Sequence, residues 1–341
     1  MSQTSPALPV TDRNLRRALS RAEVYRLLAA ADLPGPFVEV LQEALSAPGK
    51  LLGAPVGSLW PDFVLLCCAA ASGGAWQMAV PAAAAAEFFA LALDLLDEIE
   101  DGDASPLRER HGTAVALNCS TALLGLAFQA LGSTEPARSA DTFSGASGAA
   151  VLAQAMVTAT GGQHLDLTSD RGPALDQDGL LDIMARKSGA LVGGCCALGA
   201  TMGGASRATV ALYSAFGRHV GIAAQLDNDM HDLWEAVTHG AEAAKSDLRR
   251  GKQSAPLAFL RDTMNARGDQ DEPALERELW ETGALPYAWA VVQVHRAEAL
   301  SLLERIAQTA PAPGLPLSLL RHLTESMLDQ DQPPADPGSA P

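Results

Sequence analysis

The chain has 341 residues, of which 48% are hydrophobic, and it carries a formal net charge of −16 at pH 7. This length and apolar content supply ample material for a core, which excludes an intrinsically disordered chain. The acidic balance argues against binding to the phosphate backbone of nucleic acid, so a small anionic substrate would need a metal ion or local cations.

The predicted elements are helices between two irregular ends. Residues 1–12 and 331–341 are rich in Pro and Ser, and we expect both to be disordered tails. Between them, alanine runs such as 81–87 (PAAAAAE) and apolar residues spaced three and four apart favour helix over strand. Gly- and Pro-rich breaks divide this stretch into roughly ten to twelve helices without a linker. The sequence therefore predicts a nearly all-α protein with one domain over residues 13–330.

The cysteines and the most apolar segments indicate the cellular compartment of the protein. Five cysteines without CxxC spacing are expected to be reduced core residues: Cys67, Cys68, Cys119, Cys195 and Cys196. No basic region followed by an apolar stretch begins the chain, so no signal peptide is expected. The most apolar segment, 190–204, is short for a bilayer span and rich in glycine. We expect a cytoplasmic protein without a membrane span.

Two acidic runs follow apolar stretches. The first, 97–101 (DEIED), follows EFFALALDLL, and the second, 228–232 (NDMHD), comes shortly after VGIAAQL. Helical residues three or four apart share a face, so Asp97 and Asp101 point together, as do Asp229 and Asp232. A lone acidic run is more often a solvated surface, but charge beside a buried segment needs a metal or a partner. Carboxylates held in this way suit Mg²⁺, which commonly bridges them to substrate phosphates.

Six ordered signatures resemble the trans-isoprenyl diphosphate synthase (polyprenyl synthetase) family over most of residues 35–310. The two acidic runs fill its paired DDxxD motifs as DExxD and NDxxD. The other signatures are Arg110-His111-Gly112 for RRG, Gly162-Gln163 with Asp166 for GQxxD, Lys187-Ser188-Gly189 for KTG, and Asp247 with Gly251-Lys252 for DLxxGK. The resemblance implies a class I isoprenoid synthase fold, an all-α helical bundle with a central active-site cavity.

The resemblance also implies roles for individual residues. It implies that the protein binds three Mg²⁺ ions and an allylic diphosphate. The catalytic residues that it implies as metal ligands are Asp97, Asp101, Asp229 and Asp232. Asn228 is either a further ligand or a tolerated replacement at a non-ligand position. The residues implied to bind the substrate are Arg110, Lys187, Gln225 and Lys252. Phe88 and Phe89, about two turns before the first run, either limit the depth of the cavity or belong to the plain core.

The chain departs from the family in the pocket for the second substrate, isopentenyl diphosphate. The family's basic GKRxRP motif becomes VGSLWP at 56–61, its helix His falls on Ala90, and the second Arg of RRG becomes His111. A free diphosphate carries about three negative charges, which would stay uncompensated in a dry pocket without Lys or Arg. We expect this second site to be lost, unless Lys50 replaces the missing cations.

Three functions follow from this pattern. The first is a terpene-synthase-like enzyme that ionises a farnesyl- or geranylgeranyl-class diphosphate, releases pyrophosphate and quenches the cation by cyclisation or with water. The second is a prenyltransferase, either a chain-elongating synthase or one with a non-diphosphate acceptor. The third is an inactive partner subunit. The resemblance, together with the apolar stretch 116–131, also implies a homodimer.

Overall fold

A computed structural model describes most of the chain, and of 234–239 and 264–267 only the backbone. The described residues are 10–53, 57–103, 105–132, 147–169, 175–239, 254–267, 282–311 and 314–328. Every regular element among them is a helix, which confirms the all-α prediction.

The helices of the described residues range in length from 6 to 33 residues. In chain order they are α1 (Arg13–Ala30), α2 (Gly35–Leu45), α3 (Trp60–Ser72), α4 (Val80–Glu100), α5 (Pro106–His111), α6 (Thr113–Gly132), α7 (Gly148–Ser169), α8 (Gln177–Arg186), α9 (Ser188–Met202), α10 (Arg207–His239), α11 (Ala255–Arg267), α12 (Ala284–Ala307) and α13 (Gly314–Met327). A 3₁₀ turn, Gln77–Ala79, leads into α4.

The chain divides into two compact units, neither of which is one continuous stretch. The first comprises Met1–Ala155, Val192–Gly217 and Leu302–His322, and the second comprises Met156–Leu191, Arg218–Ser301 and Leu323–Pro341. The single domain predicted over residues 13–330 stays a prediction.

The core of the first unit is centred on α4, which packs against α1, α3 and α6. Sequence signals set the ends of α3: Pro61 stands in its first turn, where no backbone donor is needed, and Gly73 ends it in the left-handed conformation at φ 78°. All residues from Pro61 to Ala71 are buried, as are those from Ala82 to Ala92 in α4. The five cysteines are buried with free thiols, as predicted.

Glycines let helices of the first unit approach one another closely. A Cβ at Gly199 of α9 would lie 2.2 Å from the carbonyl oxygen of Val64 in α3. A Cβ at Gly217 of α10 would lie 2.5 Å from the carbonyl oxygen of Val192 in α9. These backbones are therefore in direct contact, which a larger residue at either position would prevent.

The core of the second unit includes one face of α10. Ile222, Leu226 and Met230, each four residues apart, are buried there with side chains of α8, α11 and α12. Phe259 of α11 stacks on Tyr287 of α12 with ring centroids 4.4 Å apart. This packing fixes the rotation of α10, so its acidic residues lie on a neighbouring face.

Two helical segments, 77–100 and α6, are long and apolar enough to cross a membrane by length and composition alone. Within the fold, 72% of the apolar window of the first segment is buried, and 44% of that of α6. The first segment therefore has the burial of a core helix, whereas α6 keeps more of its apolar surface exposed.

Candidate active site

The first acidic run occupies the carboxyl end of α4. Asp97 lies in the last turn and Asp101 caps the helix, its backbone N–H donating to the Asp97 carbonyl at 2.8 Å. Both side chains are half-buried, and the last turn of α4 contains no basic residue. Carboxylates at the negative end of a helix dipole are unfavourable unless a cation lies nearby. The local geometry therefore fits the binding of a cation.

Arg108 of α5 holds the loop that follows this run, a role that sequence reasoning missed. Its guanidinium donates to the carbonyl oxygens of Glu98 at 3.1 Å and Gly102 at 3.2 Å, and to that of Asp103. The Asp103 N–H also donates to the Glu98 carbonyl at 2.8 Å. Arg108 thus fixes the loop and places a positive charge at the carboxyl end of α4.

Lys50 lies beside α4 one turn before the first run, where it forms an ion pair with Asp94. Burial alone would lower the pKa of Lys50, but the carboxylates of Asp94, Glu87 and Glu98 outweigh burial and raise it. The next residue, Leu51, donates its N–H to Glu87 Oε1 at 2.7 Å. Lys50 is therefore a charged side chain held to the acidic side of α4.

Arg110 and His111, which stand where the family has RRG, share one carboxylate. Arg110 Nη1 lies 2.7 Å from Glu43 Oε1, and His111 Nε2 lies 3.1 Å from Glu43 Oε2. The side chain of Arg110 is 66% exposed. The cation predicted to bind the allylic diphosphate is thus positioned by α2 through an exposed ion pair.

Side-chain hydrogen bonds orient the second acidic run. Gln225 Nε2 donates to Asp229 Oδ1 at 2.9 Å, and Ser188 Oγ donates to Gln225 Oε1 at 2.8 Å. Asp229 and Asp232 are half-buried, while Asn228 is exposed. The first residue of α9 therefore orients Asp229 through the neutral amide of Gln225.

Two family signatures of the second unit meet at the junction between α8 and α9. Lys187 Nζ lies 2.5 Å from Asp166 Oδ2, and Asp166 of α7 is buried. A Cβ at Gly162 would lie 2.6 Å from the Cβ of Arg186, so glycine lets α7 approach this junction. The structure thus brings the predicted phosphate-binding Lys187 next to the GQxxD-like segment.

Of the remaining predicted residues, two phenylalanines lie in the described part of the chain. Phe88 and Phe89 are fully buried in the core of the first unit. Lys252 and Val56 lie outside the described residues. Within the described ranges, no three His, Cys, Asp or Glu side chains are grouped so that they could hold a metal ion. A Mg²⁺ ion bound by the acidic runs would need further oxygen ligands from substrate phosphates or water.

Residues 38–288 match the polyprenyl synthetase family, and the chain belongs to that family. Its predicted class is thereby confirmed, together with the all-α isoprenoid synthase fold.

Curated relatives are 29% and 26% identical to the chain over the aligned residues. A geranylgeranyl diphosphate synthase of Mycobacterium tuberculosis is 29% identical over 228 residues, which cover 65% of this chain and 61% of that relative. A (2E,6E)-farnesyl diphosphate synthase of the same species is 26% identical over 276 residues, 74% of each chain. The terpene-synthase-like function gains no support from these relatives, which favour the alternative prediction of a prenyltransferase.

Solved structures share the fold at lower sequence identity. A geranylgeranyl pyrophosphate synthetase from Geoglobus acetivorans has a TM-score of 0.74 and 19% identity, covering 93% of this chain and 97% of its own. A decaprenyl diphosphate synthase from Rhodobacter capsulatus has a TM-score of 0.73 and 20% identity, covering 95% and 100%.

Proposed function

We propose that the protein is a Mg²⁺-dependent prenyltransferase that extends an allylic diphosphate with isopentenyl diphosphate. The observation that carries this proposal is the match to relatives named farnesyl and geranylgeranyl diphosphate synthases over 74% and 65% of the chain. The retained acidic runs support it as well, since an inactive subunit would have little reason to keep both.

The carboxylates Asp97, Asp101, Asp229 and Asp232 would hold Mg²⁺ in this enzyme. The bound metal would neutralise the charge that develops on the departing pyrophosphate. The oxygen-only donors support this assignment. Asn228 would lie beside Asp229 as a neutral oxygen donor.

The chain's cations would bind the allylic diphosphate. Lys187, Arg110 and Lys252 would contact the diphosphate oxygens, and Gln225 would hold Asp229 in place. The carbon–oxygen bond of the allylic substrate breaks, and its electron pair leaves with pyrophosphate. The double bond of isopentenyl diphosphate then forms the new carbon–carbon bond, and a proton is lost.

A product assay tests this function. The protein is incubated with Mg²⁺, labelled isopentenyl diphosphate, and geranyl or farnesyl diphosphate. We expect label in a longer prenyl diphosphate, with one pyrophosphate released per addition. A hydrocarbon or alcohol formed from the allylic substrate alone, with no incorporated label, would instead favour the terpene-synthase-like function.

We also propose that the protein is a homodimer formed through α6. This helix exposes Leu117, 42% accessible, on the same apolar segment that predicted the dimer. Light scattering at micromolar concentration should give twice the 35.4 kDa mass of one chain. A particle of single-chain mass would contradict the dimer, and Leu117→Asp should weaken it.

A further inference from the structure

A cleft in the first unit brings arginines of α1 to the altered basic motif. Arg13 and Arg17 line it together with Gly57, Ser58 and Asp62. Gly57 and Ser58 stand where the family's GKRxRP motif has its Lys and its first Arg. The positive charge missing from the motif is therefore present beside it, supplied by another helix.

Arg17 lies directly against Gly57. A Cβ at Gly57 would be 2.4 Å from both Cζ and Nη2 of Arg17 and 2.6 Å from its Nε. The glycine leaves room for the Arg17 guanidinium, which occupies the space that a lysine at residue 57 would need.

The arginines of α1 are fixed to this region by hydrogen bonds and ion pairs. Arg17 Nη2 donates to the Gly53 carbonyl at 2.6 Å, a contact that positions the guanidinium. Arg13 and Arg16 share the carboxylate of Asp62, at 3.3 and 2.8 Å. These three arginines and one aspartate make the cluster locally cationic in a chain of net charge −16.

We infer that Arg17, assisted by Arg13, replaces the cations of the family motif and binds the diphosphate of isopentenyl diphosphate. This inference rests on the proposed chain-elongating function. A guanidinium presents several N–H donors in a planar fork, which suits diphosphate oxygens. The Arg17 guanidinium lies where a side chain at residue 57 would begin, so it brings a positive charge to the position of the motif's lysine.

Binding of isopentenyl diphosphate alone tests the inference without turnover, because this substrate has no allylic leaving group. In calorimetry with Mg²⁺, Arg17→Gln should bind it roughly tenfold or more weakly than the wild type. In steady-state assays its KM for isopentenyl diphosphate should rise while its KM for the allylic diphosphate stays unchanged. Arg26→Gln is the matched control, because it removes the same charge from an exposed site on α1 that pairs with Glu23.

A charge-relocation variant provides the second test. Arg17→Ala removes the guanidinium that a side chain at residue 57 would meet. The double variant Arg17→Ala/Gly57→Lys should therefore recover most of the lost affinity for isopentenyl diphosphate. Thermal unfolding of each variant separates loss of the fold from loss of charge.

The outcomes separate the inference from the proposed function. If the wild type elongates the allylic substrate but Arg17→Gln keeps wild-type affinity and KM, Arg17 is not the binding residue and the function stands. The inference is also overturned if Arg17→Gln weakens binding but the double variant recovers none of it. If the wild type neither binds nor incorporates isopentenyl diphosphate, the proposed function falls, and the inference with it.

Discussion

The two acidic runs contain similar residues but are held in different ways. The first ends a helix, and its surroundings are charged: Arg108 binds the backbone of the following loop, and Lys50 pairs with Asp94 one turn earlier. The second lies within α10, where the neutral amide of Gln225 orients Asp229. The first run should therefore respond mainly to changes of nearby charge, and the second to loss of hydrogen bonds.

We expect the largest effect when an aspartate of either acidic run is replaced, which tests whether turnover needs both runs. Asp97→Ala and Asp229→Ala should each reduce pyrophosphate release by about 10²-fold or more, since each removes a group that holds the charge-stabilising metal. Asp262→Ala, an exposed acid on α11, serves as the control. Wild-type release in only one of the two variants would show that a single run suffices.

Loss of Arg108 should have the next largest effect and should act on the first run. Arg108→Gln removes charge-assisted hydrogen bonds worth about 1.5–3 kcal/mol each, and activity at limiting Mg²⁺ should fall roughly tenfold or more. Titrating Mg²⁺ measures the effect, because high concentrations should restore part of the rate. Arg186→Gln, which breaks an exposed pair with Asp182, is the matched control. An unchanged Mg²⁺ dependence would refute a role for Arg108 in this run.

Loss of the neutral contacts should have a smaller effect on the second run. Gln225→Leu removes one hydrogen bond to Asp229, worth about 1 kcal/mol, so kcat/KM should fall only about fivefold. Gln225→Glu should lower it further, because a second carboxylate would stand beside Asp229. Equal activity of the Leu and Glu variants would contradict the inferred contact.

The smallest effect concerns the pH dependence of α10, the helix that carries the second run. Nδ1 of His219 lies 2.9 Å from Nδ1 of His295, and burial lowers the pKa of both rings. Glu298 opposes the shift and Arg218 adds to it. Because the folded pKa lies below the ordinary value of about 6.5, the unfolded chain binds more protons at mildly acidic pH. Stability should therefore fall as the pH drops below that value.

Thermal unfolding between about pH 7.5 and 5.5 measures this change near the ordinary histidine pKa. His295→Gln should make the unfolding temperature less dependent on pH than it is in the wild type. A histidine outside this pair, His322 of α13, provides the control variant. If His295→Gln keeps the full acid sensitivity, other groups account for it.

Much of the fold could be predicted because apolar periodicity and helix breakers act locally. Order along the chain also predicted the signature pairs that later meet in space, such as Asp166 with Lys187. The arginines that lie beside the altered basic motif could not be found in this way. Arg17 reaches Gly57 from a helix that is distant in sequence. A glycine at residue 57 does not by itself indicate which side chain will lie against it.

Contacts made by a single remote side chain were likewise beyond sequence reasoning. Nothing in the periodicity of α2 indicates that Glu43 binds both Arg110 and His111. Lys50 was predicted as a possible replacement cation, and the structure pairs it with Asp94, an acid outside the altered motif. Such pairings depend on tertiary packing, which brings together residues that share no local pattern.

The close contact of α3 with α9 affects how this core can change. Alanine and glycine lose almost no side-chain rotational entropy on folding, so ordering Ala82 to Ala86 and Gly199 carries little of that cost. There is also no room for a larger residue at Gly199, because one added methyl group would meet the Val64 carbonyl. The spacing of α3 and α9 at this point is therefore set by backbone contact. Substitutions along this contact must therefore keep the small residue at position 199.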